Sequence, residues 1–140
     1  MVEGASTIAQ PPNNLSPPTA DQNITNQEDS PVKRYGSVIG LRPEQMAEYI
    51  RVHAAVWPEV LAQIKRSNIT NYSIYLRQPE NLMFAYFEYV GTDYEADMAK
   101  MAEDEKTKEW WALCMPMQKP LDTRAEGEWW ASTEEVFHLD

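Results

Sequence analysis

Apolar alternation at 34–42, 69–77 and 82–90, two helical stretches between, and one tight turn predict an α+β domain. The element order is β-α-β-β-α-β, the split ferredoxin-like arrangement. Arg34–Arg42 is the first strand. Pro43 opens a helix, where its missing N–H does no harm. The helical pattern runs to about Ser67, and Pro58 breaks it near Trp57. Ile69–Arg77 and Leu82–Val90 form a hairpin across Gln78-Pro79-Glu80-Asn81. Asp93 caps a second helical stretch, Tyr94 to about Met115, in two pieces; Pro116 and Pro120 end it. Trp129–Leu139 is the last strand.

The folded unit is residues 34–140. Residues 1–33 carry Pro11, Pro12, Pro17, Pro18 and Pro31 among Asn, Ser, Thr and Gln, with no aromatic residue. Such a stretch buries too little apolar surface to offset the entropy of ordering, so it reads as a disordered tail. It lacks the charged start and apolar core of a secretory signal. It also has no arginine and contains Glu3, Asp21, Glu28 and Asp29, unlike a transit peptide.

Hydrophobic residues at 43% and charged residues at 24% suit a globular domain. A formal charge of −10 excludes the basic footprint of a nucleic-acid binder and disfavours an anionic membrane surface. It favours a neutral ligand over a phosphorylated one. No run reaches the ~18 apolar residues of a membrane span. A single cysteine, Cys114, permits no intrachain disulfide and reads as a buried small hydrophobe. Together these features point to a cytoplasmic protein. Two histidines and no HxxxH or CxxC spacing make a metal site improbable, and no phosphate loop or nucleophile elbow is present.

Both alternating faces of Leu82–Val90 are apolar or aromatic. Helices cover one face of such a sheet, and one domain of this length has nothing to cover the other. A second copy does, which predicts a homodimer with sheets packed face to face. The alternative is an open aromatic face that holds a ligand.

Tyr49, His53 and Trp57 follow at i, i+4 and i+8, with Met46 and Ile50 beside them. A group that titrates near neutral pH thus sits between aromatic rings on an inward face. His53 is the first candidate for proton transfer; a packed core histidine is the bland reading. Trp110-Trp111 cannot share one helix face, so at least one ring is available to a cleft. Tyr72 shares a sheet face with Ile74. Trp129-Trp130, at a strand start, reads as structural.

The run Tyr49-x-x-x-His53-x-x-x-Trp57-Pro58-Glu59, with Asn71-Tyr72-x-Ile74-Tyr75-Leu76, Asn81-Leu82-x-Phe84-Ala85, Trp110-Trp111 and Glu135-Val136-Phe137, resembles the L-rhamnose mutarotase family. The resemblance spans about residues 34–140. It implies a dimeric ferredoxin-like fold and interconversion of the α and β anomers of L-rhamnose without cofactor or metal. It makes His53 the catalytic residue and Tyr49, Tyr72, Trp110 and Trp111 the substrate contacts. One departure is Ala54-Ala55 after the histidine, where bacterial members often have Asn-Pro; the proline-rich tail is another.

Mutarotation needs a base at the O1 hydroxyl and an acid at the ring oxygen, and a histidine serves either role. A neutral monosaccharide also agrees with the acidic composition. Two other readings stay open: a cofactor-free oxygenase or cyclase on the same scaffold, and a non-enzymatic dimeric ligand-binding module.

Overall fold

The computed structural model describes residues 31–140. The expectation of a disordered tail therefore lies outside the described residues, apart from its last three positions, where strand β1 (Lys33–Leu41) has already begun. After a single 3-10 turn at Pro43–Gln45 come helices α1 (Met46–His53) and α2 (Pro58–Arg66). Strands β2 (Ile69–Arg77) and β3 (Leu82–Tyr89) form the hairpin. Helices α3 (Tyr94–Glu103) and α4 (Glu105–Cys114) follow, then the two short strands β4 (Gln118–Lys119) and β5 (Ala131–Ser132). The sheet is antiparallel, in the order β2-β3-β1-β4, with β5 also on β1. Along the chain the elements follow the expected order β-α-β-β-α-β, with the fourth strand split in two.

Local chemistry accounts for the helix ends. The Asp93 carboxylate accepts from Ala96 N–H at 3.1 Å. Asp104 does the same for Thr107 N–H at 2.9 Å, so α3 and α4 are two capped helices rather than one. Trp57 precedes Pro58 and is forced extended, at φ −60° and ψ 135°, which separates α1 from α2.

Alternation places Tyr35, Ile39 and Leu41 of β1 and Met83, Ala85, Phe87 and Tyr89 of β3 in one buried layer. Tyr49, Val60, Met101, Trp110, Trp111 and Cys114 join them from the helices. The other face carries Val38, Phe84 and Tyr75, aligned across β1, β3 and β2 by register. Phe84 and Tyr75 on that face are exposed. Among the described residues no helix is long and apolar enough to cross a membrane.

The last strand departs from expectation. Of the stretch Trp129–Leu139 only Ala131–Ser132 is strand, extended by one bond from Thr133 N–H to the Gly36 carbonyl. One edge of β1 is shared: Gly40 and Leu41 pair with β4, and Ser37 and Val38 pair with β5. Gly40 permits that sharing, because a Cβ there would lie 2.6 Å from the Lys119 carbonyl. Beyond Thr133 the chain is held by the Arg34–Glu135 ion pair, at 3.0 and 3.2 Å, and exposes Val136, Phe137 and Leu139.

Candidate active site

Helix α1 supplies the titratable group. Tyr49 and His53 are one turn apart, and their rings stack at 4.1 Å between centroids with 20° between planes. His53 Nδ1 lies 3.0 Å from the Tyr49 carbonyl. A carbonyl only accepts, so Nδ1 carries the proton and Nε2 keeps its lone pair. Among the described residues no hydrogen bond engages Nε2. Partial burial holds the imidazole below its ordinary pKa, and the Tyr49 carbonyl opposes this only in part.

The three-member helical stripe is corrected in one respect. Trp57 lies beyond the end of α1 and caps α2, so the Ala54-Ala55 turn and Pro58 bring it in rather than helical stacking. It still reaches the site's wall, packing edge-on against Trp110 at 5.1 Å. Ile50, grouped with the stripe, faces solvent.

A bulge places Tyr72. Thr70 pairs with Glu88 and Ser73 with Tyr86, so β2 spends three residue steps where β3 spends two. Asn71 takes up the surplus at φ +48°. Ile69 already faces inward, and without the extra residue Asn71 would be the next to do so. The phase change turns Tyr72, Ile74 and Leu76 inward instead, and Tyr72 packs edge-on against Phe87 at 5.5 Å. Asn71 reaches Glu88 by its side-chain amide at 2.8 Å. Burial raises the Tyr72 hydroxyl, which stays protonated.

Helix α4 closes the site. Trp110 meets His53 edge-on at 5.1 Å. Trp110 and Trp111 are both buried and both border one cavity of about 700 Å³. Tyr49, His53, Tyr72, Trp110 and Trp111 all line it, so every predicted site residue meets in one place. Asn71, Thr107 and Trp130 line it as well. Trp130, first read as structural, is 1% exposed, and its indole N–H is buried without a partner among the described residues.

Sequence reasoning missed a polar connection behind Tyr49. Gln118 Nε2 donates to the Tyr49 hydroxyl at 2.9 Å, and Trp129 Nε1 donates to Gln118 Oε1 at 2.7 Å. Neither residue is near Tyr49 in sequence, and a lone glutamine two residues before Pro120 carries no periodic signal. Burial drives the Tyr49 pKa far up, with smaller contributions from Cys114 and Tyr72; the Gln118 bond acts weakly the other way. Cys114 is buried, and its thiol is pushed up to about 12. The site therefore offers a basic imidazole nitrogen, two phenols that remain protonated, and indole walls. That set suits proton exchange with a ligand bearing hydroxyls and C–H-rich faces.

A family model described as L-rhamnose mutarotase matches residues 34–139. The chain is 33% identical over 111 residues to an L-rhamnose mutarotase of Oceanobacillus iheyensis, covering 78% of this chain and all of that one. It is 35% identical over 108 residues to one of Lactiplantibacillus plantarum, covering 76% and 98%. Among solved structures, an L-rhamnose mutarotase from Formosa agariphila superposes with a TM-score of 0.60 at 24% identity, over 77% of this chain and 99% of that one, a likeness of fold. With nearly all of the described domain matched, the chain belongs to the L-rhamnose mutarotase family.

Proposed function

We propose that the protein interconverts the α and β pyranose anomers of L-rhamnose by general acid–base catalysis. The observation that carries the reading is the His53 imidazole, fixed through Nδ1 to the Tyr49 carbonyl with Nε2 unbonded, in the wall of an aromatic cavity. His53 Nε2 takes the proton from the O1 hydroxyl. The C1–O5 bond breaks, its electron pair goes to the ring oxygen, and the Tyr49 hydroxyl supplies a proton there. Rotation about C1–C2 presents the other face of the aldehyde. O5 then adds back, the proton returns to Tyr49, and the imidazolium reprotonates O1. Every bond broken is remade, so the cycle consumes nothing.

Tyr72 binds sugar hydroxyls, and Trp110 and Trp111 pack on the ring's C–H face and C5 methyl group. General acid–base assistance typically contributes about 10²–10⁴-fold. Because burial lowers the His53 pKa, the base form persists below the ordinary value of about 6.5. The acid limb of kcat/KM against pH, which reports the free enzyme, is expected to have its midpoint below that value. A midpoint at or above it contradicts a desolvated base.

Saturation-transfer NMR on the anomeric protons tests the activity. Enzyme-dependent α/β exchange with L-rhamnose, weaker with a panel of other sugars, is the expected result. No acceleration by folded protein at micromolar concentration rules the function out.

The reading includes a homodimer. Its support is the sheet face opposite the helices, where Val38, Phe84 and Tyr75 align and Tyr75 is 66% exposed. Light scattering is expected to give twice the chain mass, and Phe84→Glu to give the chain mass. A wild-type monomer at micromolar concentration rejects the dimer.

A further inference from the structure

We propose that Trp129 and Gln118 form a one-way hydrogen-bond relay that points the Tyr49 hydroxyl proton at the ligand. This rests on the mutarotase reading and adds two positioning residues to it. An indole N–H donates and never accepts. Trp129 Nε1 at 2.7 Å therefore compels Gln118 to present its oxygen on that side. The amide nitrogen is left to face Tyr49, at 2.9 Å, and it too only donates. The Tyr49 oxygen must accept that bond, so its own proton points elsewhere. Among the described residues no other group bonds the Tyr49 hydroxyl, and Tyr49 lines the cavity.

The three groups are well placed to hold this sense. Gln118 is 1% exposed and Tyr49 4%, so water does not compete freely for either. Strand β4 fixes Gln118 by pairing with Leu41 of β1. The loop carrying Trp129 is closed by its own bonds. The Glu128 carboxylate accepts from Ala125 N–H at 3.1 Å and Ser132 N–H at 3.2 Å. Arg124 Nε donates to the Glu128 carbonyl at 2.7 Å. A donor fixed before the substrate arrives has no rotor to reorganise as charge develops on the ring oxygen. Without the relay the phenol is free to turn, and the acid in the reaction is lost for part of the time.

Gln118→Glu tests the polarity. The carboxylate keeps the size of the amide and the bond from Trp129, but its second oxygen accepts from Tyr49. The phenol proton then points away from the cavity. At neutral pH kcat is expected to fall about 10²-fold, with KM within roughly threefold of wild type and the folded fraction unchanged. Lowering the pH protonates the carboxyl, which then donates to Tyr49 and restores the original sense. The ratio of variant to wild-type kcat should therefore climb as pH falls. The new carboxylate also raises the His53 pKa in the variant, so the ratio is taken after each profile has been fitted for its own His53 limb. Cys114 and Tyr72, the titratable groups acting on Tyr49, stay neutral throughout.

Gln118→Met breaks both bonds and is expected to give a smaller loss that does not vary with pH. A ratio flat with pH for Gln118→Glu, or equal losses in the two variants, overturns the relay. Should Gln118→Glu not fold, Trp129→Phe decides, since it frees the amide to flip. A several-fold drop in kcat at constant KM supports the relay, and an unchanged kcat overturns it. The ¹³Cζ resonance of Tyr49 gives a readout independent of turnover. It should move in Gln118→Glu at neutral pH and return in acid. A moving resonance without mutarotation sinks the function and leaves the relay standing; turnover with a fixed resonance sinks the relay alone.

Discussion

The two Trp-Trp pairs are the same dipeptide put to different uses. Trp110-Trp111 sits on α4, where neighbours differ by about 100° in direction, and both rings border the cavity. Trp129-Trp130 lies in the bend just before β5, outside any regular element. One ring, Trp130, borders the cavity; the other, Trp129, directs its N–H at Gln118. The helix makes a wall from two side chains. The bend divides its pair between that wall and the polar support behind Tyr49. Identical residues thus acquire roles from the local backbone that carries them.

Substitutions in the two pairs sharpen the contrast. Trp110→Ala has the largest expected effect: it empties a buried site and removes the edge contact to His53. Denaturant unfolding should show a loss of about 3–5 kcal/mol, with most of the activity gone. A loss under about 1 kcal/mol would mean the wall is not packed. Trp129→Phe should come next, at about 1–3 kcal/mol, because it leaves the buried Gln118 oxygen without its donor. Trp130→Phe is expected to cost least, about 1 kcal/mol or less, although Trp130 is the more buried ring. Its lost volume is offset by removal of an unpartnered N–H. The reverse order of the two phenylalanine variants would break the distinction between a bonded indole and an orphaned one.

Much of the fold was legible because its signals are local. Pro58 separates α1 from α2, Asp93 starts α3, and Asn81 at φ +57° closes the hairpin. The site residues were legible through helical spacing at Tyr49 and His53 and through the family motifs. Features set by distant partners were not. The bulge at Asn71 depends on register against Glu88 and Tyr86, and it alone decides that Tyr72 faces inward. Gln118 acquires meaning only once Tyr49 and Trp129 flank it, 69 and 11 residues away. Residues 133–139 were expected to continue the last strand, but past Thr133 they make no ladder with β1 and are held by the Arg34–Glu135 pair instead.

The most direct test measures α/β exchange of L-rhamnose by NMR for wild type and His53→Asn side by side, with thermal unfolding as a control. The variant is expected to fold and bind the sugar while the catalysed exchange rate falls about 10²-fold or more. A folded His53→Asn protein with undiminished exchange would contradict the role assigned to His53.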